Sequence, residues 1–287
     1  MSQLPAAKTR FRDICKEDAS ELADLLAKAF PARPRAYWEH SLAVLASREV
    51  PEGYPRYGYA IESGGRIVGV LLVVCSRPND QGGSVRCNFS SWYVEPVFRS
   101  HAALLVAFVL KRLSGTTFTN ISSERHTRPI IEAQGFVRYS DGTFITAPLL
   151  SWSGHGARAR TFSSVEAAML PPDEQRLLAE HAGYGCLSAV VTHAGRVTPL
   201  VFRRVRLKGV TMAQLVWCRD VNDLVQFAGA VGRFLAMHGM ALLAIDANGR
   251  VAGLPGRYFP DRAPKYYRGP ARPRSGDLSY SELALFG

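Results

Sequence analysis

The chain alternates between runs with the two-residue period of a strand and runs whose apolar residues recur at helical spacing. Residues 9–15 alternate as a short strand, and helix signals follow at once. Asp18 stands three residues before Glu21, the spacing of a capping box, and Leu22, Leu25, Leu26, Ala29 and Phe30 then share one face. Pro31 and Pro34 end that helix, and Trp38, Leu42 and Leu45 mark a second over 36–46. Gly64-Gly65 separates two β-rich runs, 57–63 and 66–75, and predicts a hairpin. A loop over 77–83 leads to a third strand, 85–94, which passes through a short loop into a helix ending near 113. Ser100 is the natural N-cap of that helix. Next come a strand at 118–122 and a helix opened by His126 or Thr127, with Pro129 in its first turn and Gly135-Phe136 at its end. Residues 137–139 and 143–147 read as a closing hairpin across Ser140-Asp141-Gly142.

The second half echoes this order. Residues 187–192 and 196–203 form a hairpin across His193-Ala194-Gly195. A strand over 210–218 holds Trp217, as the strand over 85–94 holds Trp92. A helix over 220–238 ends at Gly239, and a strand follows at 241–246. Residues 250–274 read as a long irregular stretch in which seven basic residues (Arg250, Arg257, Arg262, Lys265, Arg268, Arg272 and Arg274) interleave with aromatic ones. A final strand, 278–286, closes the second sheet.

A length of 287 residues exceeds one average domain and suggests two. The expected division is a first domain over 1–150, a linker over 151–164 rich in Ser, Gly and Arg, and a second domain over 165–287. With 47% hydrophobic and 21% charged residues the composition is that of a globular protein. The longest apolar runs, 67–75 and 102–110, are half of the ~20 residues a membrane span needs. The first residues lack the apolar core of a secretory signal, so the expected location is the cytoplasm. Cys15, Cys75, Cys87, Cys186 and Cys218 show no CxxC spacing and read as reduced thiols rather than disulfides. The seven histidines show no metal-ligand spacing, and no metal is expected. A net charge of +11 points to an anionic partner without choosing among CoA phosphates, an acidic carrier protein, anionic lipid and nucleic acid.

The chemistry concentrates after the third strand. The run Trp92-Tyr93-Val94-Glu95-Pro96-Val97-Phe98-Arg99-Ser100-His101-Ala102-Ala103-Leu104 takes a strand into a helix whose start carries Arg99 and His101 and no acid. Amide groups at a helix start favour an anion, and an arginine beside them adds charge-assisted bonds to phosphate.

These residues resemble the GNAT (GCN5-related N-acetyltransferase) superfamily. Tyr93-Val94-Glu95-Pro96 is similar to the family's strand end, where a splayed strand pairs with the pantetheine arm of CoA. Arg99 to Leu104 lies where the family's pyrophosphate loop stands, and the run from Pro129 to Phe136 resembles its last helix. The resemblance spans about residues 9–147. It implies an α/β fold: a mixed central sheet flanked by helices, acyl-CoA N-acyltransferase-like, here as two similar domains in tandem. It assigns pantetheine to Tyr93, Val94 and Glu95, and pyrophosphate to Arg99, Ser100, His101, Ala102, Ala103 and Leu104. Acetyl-CoA or a longer acyl-CoA is the implied co-substrate, and an amine on a small molecule or peptide the implied acceptor.

The sequence departs from the family at Ala102 and Leu104, where glycines are usual. It departs again at Ile131, where many members carry a general-acid tyrosine, and at Ser90, where many carry a glutamate base. Transfer needs a neutral amine and a proton for the leaving thiolate. Ser90 acting through water, or Ser123, Glu124 and His126 after the fifth strand, are the candidate groups, and each taken singly reads more readily as a loop polar residue or cap. Cys87 as a nucleophile lacks a visible base partner. In the second half, Asp220 and Asp223 open the corresponding helix and would repel a diphosphate. The leading expectation is therefore an acyltransferase that works by direct amine attack through its first half. The alternatives are a donor carried on acyl carrier protein and a non-catalytic binding protein. Nucleic-acid binding through 250–274 ranks last.

Overall fold

In a computed structural model of the chain, residues 8–78, 84–163, 165 and 168–286 are described. Residues 79–83 of the expected loop and Ser164 of the expected linker lie outside them. The chain forms two compact units. Unit 1 comprises Met1–Asn120, Glu124–Phe136 and Arg268–Ala271; unit 2 comprises Ile121–Ser123, Val137–Tyr267 and Arg272–Gly287. Among the described residues no helix is long and apolar enough to cross a membrane.

In unit 1, β1 (Thr9–Asp13), β2 (Gly58–Ser63), β3 (Arg66–Ser76), β4 (Arg86–Val94) and β5 (Thr117–Asn120) lie side by side in that order. The β1–β2, β2–β3 and β3–β4 pairs are antiparallel and β4–β5 is parallel. The helices are α1 (Ala19–Ala29), α2 (Arg35–Ser47), α3 (Ala102–Arg112) and α4 (Arg128–Ala133). Leu22, Leu25 and Leu26 recur at helical spacing on α1 and are buried, so α1 packs on β3, β4 and α2. Leu105, Val106 and Val109 do the same for α3, which packs on β2 and β3. Each such side chain contributes about 1.5–3 kcal/mol when fully buried.

The capping box read at Asp18 and Glu21 does not form. A 3-10 turn, Lys16–Asp18, precedes α1, and the Asp18 carboxylate accepts from the Cys15 amide at 2.9 Å and from Arg12 Nη1 at 2.7 Å. The guanidinium on β1 draws the carboxylate off the α1 terminus, because a charge-assisted bond outweighs a neutral one. Glu21 instead accepts from the Ile67 amide at 2.7 Å.

The cysteines are not all the reduced thiols that their spacing predicts. Cys75 and Cys87 face each other in the β3–β4 register, 4.1 Å apart at Cα, and form a disulfide. The hairpin register brings together two residues that sequence spacing leaves unrelated. It also takes Cys87 away from any role as a nucleophile.

In unit 2 the strands are β6 (Val137–Thr146), β7 (Arg158–Thr161), β8 (Leu187–His193), β9 (Arg196–Leu207), β10 (Val210–Cys218), β11 (Leu243–Ala247) and β12 (Gly256–Arg268). Their order is β12-β6-β11-β10-β9-β8-β7. The helices are α5 (Pro172–Gly183), α6 (Val221–Gln226), α7 (Ala228–Met237) and α8 (Glu282–Leu285). The core gathers Phe202, Leu215, Leu224, Phe227, Val231, Phe234 and Leu243 with their neighbours. The β8–β9 hairpin, β10, α6–α7 and β11 repeat the order β2–β3, β4, α3, β5, and β10 and β11 are parallel like β4 and β5.

Several readings change here. Residues 137–147 are not a hairpin, because β6 runs unbroken between β11 and β12. Gly142 serves close approach instead of a turn: a Cβ there would lie 2.3 Å from the Phe259 carbonyl oxygen. The stretch read as linker contains β7, paired to β8. The stretch read as an irregular basic loop contains β12, paired to β6 with register shifts between Pro260 and Tyr266. The helix read over 220–238 breaks at Phe227 into α6 and α7. The last strand is replaced by a single bridge at Asp277 and by α8. Helix α5 has no counterpart in the sequence reading.

Candidate functional site

β4 and β5 pair from Arg86↔Thr117 to Phe89↔Asn120, where β5 ends, while β4 continues to Val94. A bulge marks the parting: between Val73↔Phe89 and Leu71↔Trp92, Ser90 and Ser91 both oppose Leu72. Beyond it the ladder to β3 resumes, and the Glu95 amide donates to the Val68 carbonyl at 2.9 Å. Antiparallel alternation then turns the peptide groups of Tyr93 and Glu95 toward β3, and those of Trp92 and Val94 toward the side β5 has left. The result is a cleft in the hydrogen-bonding pattern, a stretch of β4 edge whose main-chain donors and acceptors β5 no longer pairs.

Two side-chain groups on this part of β4 are unsatisfied. Ser90 Oγ and Trp92 Nε1 are buried and have no hydrogen-bond partner among the described residues. Buried polar atoms are almost always paired, so an orphaned hydroxyl and indole N–H on the stretch of β4 that β5 has left make this stretch the candidate site.

The candidate pantetheine residues divide. Val94 presents its main chain to the cleft; Tyr93 and Glu95 do not. The Tyr93 ring packs near Phe30, with centroids 6.5 Å apart. Glu95 is buried and takes Arg66 Nη1 at 2.8 Å and Nη2 at 2.9 Å. The two-pronged Arg66 contact holds its carboxyl below the usual range, with Lys28 helping. The family resemblance does not assign Trp92 to the site. Only the alternation fixed by the bulge and the Glu95–Val68 bond brings its main chain into line with Val94.

The segment after β4 also differs from its reading. Pro96–His101 is a 3-10 helix leading directly into α3, so Ser100 is not an N-cap. The Phe98 amide donates to Glu95 at 2.8 Å, and the Ala102 amide to Arg99. Such bonds occupy amides that an open loop would leave exposed. What the segment offers an anion is its side chains. Arg99 and Ser100 are exposed and His101 is half-buried, with no acid in the first turn of either helix. His101 Nε2 lies 3.1 Å from Thr9 Oγ1 and Nδ1 lies 3.3 Å from Ser100 Oγ, which fixes the ring. Ala103 and Leu104 are exposed, and the Ala103 carbonyl accepts from Gln134 Nε2 at 3.0 Å, tying α4 to the start of α3.

The other candidates are spread along the chain. Ser123 belongs to the segment counted with unit 2, and its Oγ is also buried without a partner among the described residues. His126 is exposed on the turn that Thr127 closes back onto Glu124. Ile131 is fully buried. In unit 2, Asp220 caps α6 by accepting from the Asn222 amide at 2.8 Å, and Asp223 stands in its first turn.

No family model matches the sequence, and no curated protein matches it. Among solved structures the chain is similar to a GCN5-related N-acetyltransferase from Anabaena variabilis ATCC 29413, with a TM-score of 0.61 and 11% identity over 91% of this chain and 72% of that one. It is also similar to a candidate acetyltransferase from Pyrococcus horikoshii, with a TM-score of 0.59 and 11% identity over 98% and 96% of the two chains. A GCN5-related N-acetyltransferase from Kribbella flavida gives 0.58 and 13% identity over 92% and 71%. With its mixed sheets, flanking helices and a parallel strand pair that parts at a bulge, the chain has the fold of the GCN5-related N-acetyltransferases.

Proposed function

We propose that the chain is an acyltransferase that moves an acyl group from acyl-CoA to an amine, with unit 1 as the working half. One observation carries the reading: past Phe89 the edge of β4 has lost its strand partner, and Ser90 Oγ and Trp92 Nε1 lie buried and unpaired beside it. An extended arm bearing amides would satisfy the main chain of Trp92 and Val94 as a strand would. Its diphosphate would rest on Arg99, Ser100 and His101 at the approach to Ala102, Ala103 and Leu104.

The amine nitrogen attacks the thioester carbonyl, a C–N bond forms, the C–S bond breaks, and CoA leaves as a thiolate. The proton lost by the amine ends on that sulfur. Ser90 is the group proposed to relay it through water, and Ser123 and His126 are the next to test. Donors held toward the carbonyl oxygen act where negative charge develops.

Calorimetry with acetyl-CoA and longer acyl-CoAs, on the native chain and on Arg99→Glu, tests the reading. Binding that weakens about 10–100-fold in the variant supports it, as expected for a lost charge-assisted bond. Absence of binding at every chain length refutes it. The fully buried Ile131 favours a second reading, a binder without catalysis, because no side chain there can donate a proton. Turnover of bound acetyl-CoA with a panel of amines separates the two. The net charge of +11 suits an acidic acyl carrier protein as donor, and the same titration run with that protein decides between donors.

A further inference from the structure

Unit 2 has a parting of strands like that in unit 1. β10 and β11 pair only at Ala213↔Leu243 and Gln214↔Ala244, although β10 runs on to Cys218 and β11 to Ala247. β10 also carries a bulge, between Leu215 and Trp217. The Val216 carbonyl, at the bulge, and the Cys218 amide, past it, turn away from β9, as the main chain of Trp92 and Val94 turns away from β3. Here the chain fills the edge itself. The Leu278 amide donates to the Val216 carbonyl at 2.7 Å, and the Cys218 amide donates to the Gly276 carbonyl at 3.0 Å. Trp217 and Asp277 form the antiparallel bridge between them.

We infer that residues 276–278 are a built-in occupant of the second cleft, a main-chain stand-in for a ligand arm, so that the chain binds one acyl-CoA and not two. The stoichiometry rests on the acyl-CoA reading of unit 1; the occupancy of the second cleft does not.

The occupant is constructed for its place. Gly276 has φ +78°, and a Cβ there would meet Cys218 Sγ at 2.7 Å, so a side chain would push the segment out. Arg274 donates to the Cys218 carbonyl, and its guanidinium stands 5.4 Å over the Trp217 ring. The buried Asp277 accepts from the Ser279 amide at 2.9 Å and the Ser279 hydroxyl at 2.6 Å. Ser281 Oγ closes onto the Leu278 carbonyl at 2.6 Å, and the Leu278 side chain is buried with Ile121 and Tyr139. A strand edge paired in this way presents nothing for a second chain or an amide-bearing ligand to add to. The head of α6 agrees with this, because the Asp220 carboxylate already holds the Asn222 amide there.

The test combines calorimetric titration of the full chain with acetyl-CoA and hydrogen exchange on the same sample. One equivalent is expected, with the Cys218 and Leu278 amides exchanging as slowly as those of the β9–β10 ladder. Two equivalents would overturn the inference, and so would exchange of both amides at loop rates. Absence of any binding would sink the proposed function, while the exchange result would still decide who occupies the second cleft. In Gly276→Val, protection at Cys218 is expected to fall about 100-fold, with acetyl-CoA affinity unchanged. Should that variant fail to fold, Arg274→Ala provides a milder one, expected to speed exchange at Cys218 about tenfold. Unaltered protection in a folded variant would refute the role of the segment.

Discussion

Lys265 Nζ lies 3.9 Å from Asp246 Oδ1 inside unit 2, with the lysine 1% and the aspartate 8% exposed. The ammonium donates to the Ile121 carbonyl at 2.7 Å, while neither Asp246 oxygen has a hydrogen-bond partner among the described residues. Burial pushes the Asp246 carboxyl up, and Lys265 and Arg203 pull it back. Removing one partner of such a pair strands the other. Lys265→Met is therefore expected to cost about 3–5 kcal/mol, and the double variant Lys265→Met with Asp246→Leu to recover most of it. Urea unfolding measures both. A single variant within 1 kcal/mol of the native chain would show that the pair carries no such coupling.

Asp18 supplies a pH signature. Its bond to Arg12 holds the carboxyl down to about 2 from an ordinary 3.8. A depressed carboxyl stabilises the fold above its unfolded pKa, and the contribution disappears as pH falls through the folded one. The Tm difference between the native chain and Asp18→Asn should be constant above pH ~4 and shrink steadily toward pH ~2. A difference that is flat across that window would refute the assignment.

The Cys75–Cys87 bond predicts a thiol count. Unfolded in denaturant without reductant, the chain should take up an alkylating agent at Cys15, Cys186 and Cys218 only. After reduction all five cysteines should react. Closing a loop of this size contributes about 2–3 kcal/mol, so reduction should lower unfolding stability by that amount. Five alkylations without reductant would remove the bond from the native state.

Ser90 and His126 separate relay from bystander. Ser90→Ala should lower kcat about 100-fold, the low end of general acid–base assistance, with KM for acyl-CoA changed little. His126→Ala, on an exposed turn, should leave kcat within about twofold. The reverse pattern would move the relay to the segment after β5.

Much of unit 1 was legible because its signals are local. Leu22, Leu25 and Leu26 mark a helix face, Gly64-Gly65 a hairpin, and Pro129 with Gly135 the ends of α4. The parts that escaped depend on pairing between distant residues. Ser140-Asp141-Gly142 has the composition of a turn, yet strands on both sides hold it extended, and Gly142 yields to the Phe259 carbonyl. β12 hides behind its arginines and its two prolines, Pro260 and Pro264, although it pairs along β6. Helix α5 did carry signals, a proline at its start with Asp173 and Glu174 in its first turn, but its low overall apolarity masks Leu177 and Leu178. At the candidate site, the strand and the place of the short helical segment after it are legible in the sequence. It could not reveal which peptide groups turn outward, because a one-residue bulge at Ser90 and Ser91 sets that alternation.

The unbroken course of β6 bears on how the gene can be dissected. A fragment stopping near residue 150 would retain this strand but lose β11 and β12, the neighbours on its two sides. Ten residues of backbone would then be bare along both edges, an invitation to aggregate rather than a clean half-protein. An insert ended before Val137 avoids those bare edges but leaves out Arg268–Ala271, which pack with unit 1 and tie to it through the Ala271 amide on Thr117 Oγ1.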